Sequence, residues 1–210
     1  MFRLKPALFA AALLASPQVA SAYESLPRQL ASLSPQDFAD TVVVDDDPLK
    51  PVVMLSTQPG YTRGRSIEGA YAQDVHLRAV VDRNTGSVKW QVWHDLVNVR
   101  GHKNVVAVHY QQAGSMAAAD PLAVDRWLDE CPPTDGIGSC NQFTRVAFEL
   151  PEDVVRDVAA SYRAGSREPW RLHFKDVSGR DVTGGIAPAE AAGLVQALDS
   201  WRNSKTRRMN

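Results

Sequence analysis

Residues 74–99 constrain the fold more than any other stretch of this chain. Val75, Leu77, Ala79 and Val81 alternate with Asp74, His76 and Arg78, the period of two that a half-buried strand imposes. Arg83-Asn84-Thr85-Gly86 supplies a turn, and residues 87–99 read as a longer second strand, so the stretch is a β-hairpin. Trp90 and Trp93 lie an odd number of positions apart and therefore face opposite sides of that strand. Val88, Val92 and Leu96 share the Trp90 face; Val97 and Val99 share the Trp93 face. A strand apolar on both faces is covered on both, which points to a sandwich or to a sheet with helices packed on it.

The remaining segments extend that frame. Ser34 caps a short helix with Pro35 in its first turn, and the β-branched residues 41–44 read as a strand. Asp45-Asp46-Asp47-Pro48 then breaks it. Consecutive carboxylates without a glycine fit a solvated turn better than a calcium loop. Residues 52–56, 105–112 and 140–150 read as strands, and residues 113–120 as a small-residue loop. Residues 122–131 have helical spacing at Val124, Trp127 and Leu128, but pairing with the strand at 140–150 favours a strand there too. Pro151 opens a helix with Val155, Val158, Ala159 and Tyr162 inward. Trp170, Leu172 and Phe174 alternate with Arg171, His173 and Lys175, and residues 181–186 return as a strand. A last helix opened by Pro188 turns Ala191, Leu194, Val195, Leu198 and Trp201 inward. The expected fold class is α+β and β-dominated: an antiparallel meander or sandwich of about seven or eight strands with two C-terminal helices and one disulfide.

Residues 1–22 read as a signal peptide. Arg3 and Lys5 precede the apolar run at residues 7–15, and Ala20-Ser21-Ala22 is a small-x-small cleavage site. The expectation is a periplasmic or secreted protein cleaved after Ala22, with one domain over residues 23–201, a basic flexible tail over 202–210 and no transmembrane segment in the mature chain. The whole chain carries −1; Arg3 and Lys5 give +2 and Arg202, Lys205, Arg207 and Arg208 give +4, which leaves −7 on residues 23–201. An acidic body argues against nucleic acid as a partner. The only cysteines, Cys131 and Cys140, are most simply a disulfide in an oxidising compartment. Neither the C-x-x-C spacing of redox sites nor that of zinc knuckles occurs.

The segment spanning residues 124–155 places a short element ending in Cys131, a Gly-containing loop and a second Cys opening a strand. That strand runs through Leu150-Pro151 into a helix. With the 82–86 turn and the closing Pro-started helix, it resembles secreted bacterial envelope proteins of unknown function, over roughly the last two-thirds of the chain. The resemblance implies a β-rich fold and supports the disulfide. It implies no activity, cofactor or catalytic residue.

No G-x-S-x-G, H-E-x-x-H, P-loop or dinucleotide fingerprint occurs, which lowers the readings that announce themselves locally. His94 and His109 lie on strands adjacent in sequence, so they are the pair able to converge on a metal; His76 and His173 sit beside Arg78 and Arg171, a poor setting for a cation. Arg63-Gly64-Arg65 beside Tyr61 has the composition of an anion-binding loop, two guanidiniums around a residue that exposes its backbone. The leading expectation is a non-enzymatic protein binding an envelope component or a small ligand, with no cofactor. The alternatives are an enzyme, such as a hydrolase, whose site assembles only in space, and a metal-binding protein.

Overall fold

The structure, a computed structural model, describes residues 25–57, 75–98, 101–128 and 142–209. The hairpin forms as its alternation dictates. β3 (Val75–Asp82) and β4 (Val88–Asn98) pair antiparallel, with Ala79 opposite Trp90 and Leu77 opposite Val92. Asp82 Oδ1 builds the turn by accepting from the backbone N–H groups of Asn84 at 2.9 Å and Thr85 at 2.8 Å, and Gly86 closes it at φ 71°.

On one side of this hairpin lie β1 (Val43–Asp45) and β2 (Val52–Ser56). On the other lie β8 (Gln142–Leu150) and the edge strand β7 (Pro121–Leu128), giving a six-stranded sheet in the order β1-β2-β3-β4-β8-β7. A second sheet has the order β10-β9-β5-β6, from β5 (Val105–Gln112), β6 (Ser115–Ala119), β9 (Trp170–Asp176) and β10 (Val182–Ile186). Every pairing is antiparallel. The helices are α1 (Arg28–Ala31), α2 (Pro35–Thr41), α3 (Glu152–Ala160) and α4 (Pro188–Met209). The β-dominated fold stands, with ten strands among the described residues in place of seven or eight. The sheets are not a simple meander, because β4 pairs with β8 while the intervening chain crosses to the second sheet and back.

Local chemistry accounts for most boundaries. Ser34 and Asp37 form a reciprocal capping box at the start of α2, with Asp37 N donating to Ser34 Oγ at 3.3 Å and Ser34 N to Asp37 Oδ2 at 2.8 Å. Thr41, read from its β-branching as strand, ends that helix; its hydroxyl donates to the Asp37 and Phe38 carbonyls. Residues 122–128 are strand, as pairing with β8 required. Residues 113–120, read as a loop, contain β6. Ala113 (φ 47°) and Gly114 (φ 80°) are both left-handed, the geometry of a two-residue hairpin turn, so the chain reverses at once.

One face of the large sheet forms the main core. Val53, Leu55, Leu77, Trp90, Val92, Val146 and Phe148 meet Val108, Leu172 and Phe174 of the small sheet, Val155 and Val158 of α3, and Leu194 and Leu198 of α4. The layer over the large sheet is therefore part sheet and part helix. Gly184 of β10 marks a close approach between the layers: a Cβ there would lie 2.6 Å from His94 Nε2 and 2.7 Å from Phe174 Cε2. A smaller cluster of Leu26, Leu30, Phe38, Ala187 and Ala189 joins α1 and α2 to the start of α4, where a Cβ on Gly193 would lie 2.5 Å from Phe38 Cβ and 2.6 Å from the Pro35 carbonyl oxygen.

Helix α4 carries the basic segment expected to be a flexible tail; residues 202–209 are its last two turns. The Asp45–Asp47 run is its anchor. Trp201 Nε1 lies 3.4 Å from Asp46 Oδ2 and Lys205 Nζ 3.6 Å from it, while Arg83 holds Asp46 at 2.6 Å. Among the described residues no helix is long and apolar enough to cross a membrane.

Candidate functional site

The small sheet turns Val108, Tyr110, Leu172 and Phe174 toward the core and so presents His109, Arg171, His173 and Lys175 on its opposite face. The register sets His109 directly opposite His173, with Thr183 beyond His173 and Ala118 beyond His109 on the same rung. Side chains paired in this way have Cβ atoms about 5 Å apart, so the two imidazoles are neighbours. One rung on, Lys175 forms an ion pair with Asp181. The Lys175 ammonium holds the Asp181 carboxyl below the usual carboxylate range, with a smaller contribution from His109.

These groups line a cleft of about 940 Å³ that also takes in Leu26, Leu30, Tyr162 and Trp170. Two backbone-directed bonds fix the wall that carries the apolar residues: Leu26 N donates to the Arg167 carbonyl at 2.8 Å, and Arg167 Nε donates to the Leu26 carbonyl at 2.8 Å. Trp170 is braced by Tyr110, ring centroids 5.7 Å apart. The cleft thus combines an apolar wall with imidazole, ammonium and carboxylate groups, and its volume suits a small organic molecule.

His94 and His109 do not converge. Strands adjacent in sequence here belong to different sheets: His94, on β4, faces the core, fully buried and edge-on to Phe174 at 4.9 Å, whereas His109 faces away from the core on β5. His109 instead meets His173, whose neighbour Arg171 made it look unpromising in the sequence. The signal was present in the phase of both strands but needed the β5–β9 pairing to be legible. Among the described residues no group of three or more His, Cys, Asp or Glu is arranged to hold a metal ion. Tyr61, Arg63 and Arg65, the expected anion-binding loop, lie outside the described residues, as do Cys131 and Cys140 and the signal-like residues 1–22.

The large sheet has a second polar face, away from the core. His76 and Arg78 of β3, Trp93 and Asp95 of β4, and Phe143 and Arg145 of β8 alternate out of phase with the core residues on each strand. Arg145 Nε and Nη2 donate to Asp95 Oδ1 and Oδ2 at 2.7 and 2.8 Å, a bidentate pair, while its guanidinium lies 5.2 Å from the Trp127 ring centroid. Trp127 in turn stacks on Phe143 at 5.1 Å. His76, read from the alternation as lying on the polar face of its strand, is only 3% exposed. Burial first, then the Arg78 and Arg145 charges, push its pKa down to about 3.

Fold and site together define a two-sheet antiparallel β protein with a helical layer and an open amphipathic cleft. No family model, no curated protein and no solved structure matches the chain.

Proposed function

We propose that this chain is a non-enzymatic binding protein of the periplasm or the secreted space, and that its cleft takes a small amphipathic ligand or the matching group of an envelope component. The observation that carries this reading is the cleft of about 940 Å³, lined by His109, His173 and Lys175 and also by the half-buried Tyr162 and Trp170 and the exposed Met116. An apolar body would rest on the wall, and acceptor groups would meet the imidazoles and the ammonium. The export reading rests on residues 1–22, and with it Cys131 and Cys140 are proposed to be bonded.

A thermal-shift screen of small organic acids, acyl compounds and sugars tests the cleft, because a ligand that binds only the folded state raises its stability by about 2.7 kcal/mol at a hundred times Kd. A hit should lose its effect in the His109→Ala/His173→Ala double variant. An equal shift in both proteins places binding elsewhere. A compound chemically converted during the assay, with conversion lost in the double variant, would favour the hydrolase alternative. Thiol labelling of exported protein without reductant should find both cysteines blocked.

A further inference from the structure

We propose that the outer face of the large sheet carries a second ligand site, an oxyanion seat formed by the Arg78 guanidinium beside the His76 imidazole and against Trp93. It is independent of the cleft, which belongs to the other sheet.

The geometry is a preorganised cation without a counterion among the described residues. His76 and Arg78 are two positions apart on β3 and share its outer face; the register sets His76 opposite Trp93 and Arg78 opposite Gln91. The His76 ring stacks on Trp93, 5.9 Å between centroids and 11° between planes, and the Arg78 guanidinium sits 4.1 Å from the Trp93 centroid. Trp93 thereby fixes both groups, and is itself oriented by donating from Nε1 to Gln91 Oε1 at 3.3 Å.

Two polar atoms in this arrangement, His76 Nε2 and Arg78 Nε, are buried and have no hydrogen-bond partner among the described residues. A buried donor left unpaired is costly, and more so when charged. The half-buried guanidiniums beside it are provided for: Arg83, in the turn that follows β3, holds Asp46 at 2.6 Å and Arg145 of β8 holds Asp95 at 2.7 Å. Arg78 has no such carboxylate among the described residues. Its surroundings work against the charge, because burial and then the Arg145 guanidinium lower the Arg78 pKa.

The complementary group is therefore an anion with oxygen acceptors. A planar guanidinium fork suits a carboxylate or a phosphoryl group bidentately, which a point charge does not. His76 stays neutral in the free protein, so it contributes an N–H in its Nε2 tautomer and no second charge. His76 is nearly sealed and Arg78 half-buried, so the anion approaches along the arginine.

The test uses inorganic phosphate and acetate, each against sodium chloride at matched ionic strength, with two readouts: Tm, and the imidazole resonances of His76 by NMR. Either oxyanion should raise Tm beyond the chloride control and displace the His76 signals in a saturable way. The stronger of the two arms identifies the seat as phosphoryl or carboxylate. Arg78→Met should weaken binding by roughly tenfold or more, the loss expected for a charge-assisted hydrogen bond. In anion-free buffer the variant should be at least as stable as the wild type, since it removes a buried charge that lacks a partner. Arg78→Lys should bind with intermediate strength and serves if the Met variant does not fold. His76 signals that move with neither anion, or that move equally in the Arg78 variants, overturn the proposal.

Discussion

At the scale of single residues, the informative groups are those whose surroundings contradict their chemistry. His76 is the clearest case, an imidazole with its pKa near 3 against an ordinary 6.5, held there by burial and then by Arg78 and Arg145. The fold holds the neutral ring. Its contribution to stability is therefore complete above pH 6.5 and is lost as the pH falls toward 3. Carboxylates held below their usual range, among them Asp46, Asp82 and Asp176, act in the same direction, but only below about pH 4. Urea unfolding of the wild type against His76→Phe between pH 6.5 and about 4.5 thus reads the histidine apart from these carboxylates. Stability should fall with decreasing pH by at most about 1.4 kcal/mol per unit, and His76→Phe, which keeps a ring against Trp93, should flatten the dependence. An unchanged slope in the variant would remove His76 as its cause. Gly184 is the opposite case, a residue whose lack of a side chain is the point. An added Cβ would meet His94 and Phe174, both fully buried and unable to swing away, so Gly184→Ala should cost about 1–3 kcal/mol by the urea midpoint. Neither feature was legible in the sequence. His76 reads there as an ordinary polar-face residue, and Gly184 as one of a Gly-Gly pair in a weak strand.

At the scale of elements, the sequence was most legible where structure is local. The bounds of β2, the alternation of β3, the Ser34 cap and the inner face of α4 all follow from propensity and period, and all appear in the structure. β6 escaped because Ser115-Met116-Ala117-Ala118-Ala119 has no β-branched or aromatic residue, and pairing with β5 decides its conformation. The pairing of β4 with β8, the division into two sheets and hence the meeting of His109 with His173 are non-local facts that no window of sequence contains. The contact of α2 with α4 is another, and it yields a prediction with an unusual sign. In an isolated helix Gly→Ala stabilises by about 1 kcal/mol. At Gly193 the new methyl would lie 2.5 Å from Phe38 Cβ and 2.6 Å from the Pro35 carbonyl oxygen, and the latter is backbone. The packing loss outweighs the propensity gain, so Gly193→Ala should lower stability by about 1–3 kcal/mol. A raised Tm would mean that α2 withdraws from α4 freely.

At the scale of the whole molecule, charge ties the chain to itself. The acidic turn at Asp45–Asp47 and the basic end of α4 are far apart in sequence, and read alone each suggests a solvated segment. In the structure Asp46 is shared by Arg83, Trp201 and Lys205, while Arg202 reaches the Gly86 carbonyl at 3.3 Å, so the end of the last helix is fastened to the β1–β2 turn and to the central hairpin. Two truncations separate the parts of this attachment. Deleting residues 203–210 removes Lys205, whose exposed ion pair at 3.6 Å should contribute no more than about 1 kcal/mol. Deleting residues 201–210 also removes Trp201, which packs against the main core and donates toward Asp46 at 3.4 Å. Full burial of a large apolar side chain is worth about 1.5–3 kcal/mol, and the half-buried Trp201 should contribute about 1 kcal/mol or more of that, so the longer deletion should lower Tm distinctly while the shorter one scarcely changes it. High salt should lower the Tm of the full chain toward that of the shorter deletion and leave most of the gap between the two deletions intact, because the larger part of that gap is the apolar packing of Trp201 and only the Arg202 contact with the Gly86 carbonyl carries charge. Equal melting temperatures for both deletions and the full chain would mean that residues 202–210 behave as the solvated tail their charge suggests, with Trp201 contributing nothing to the core it touches.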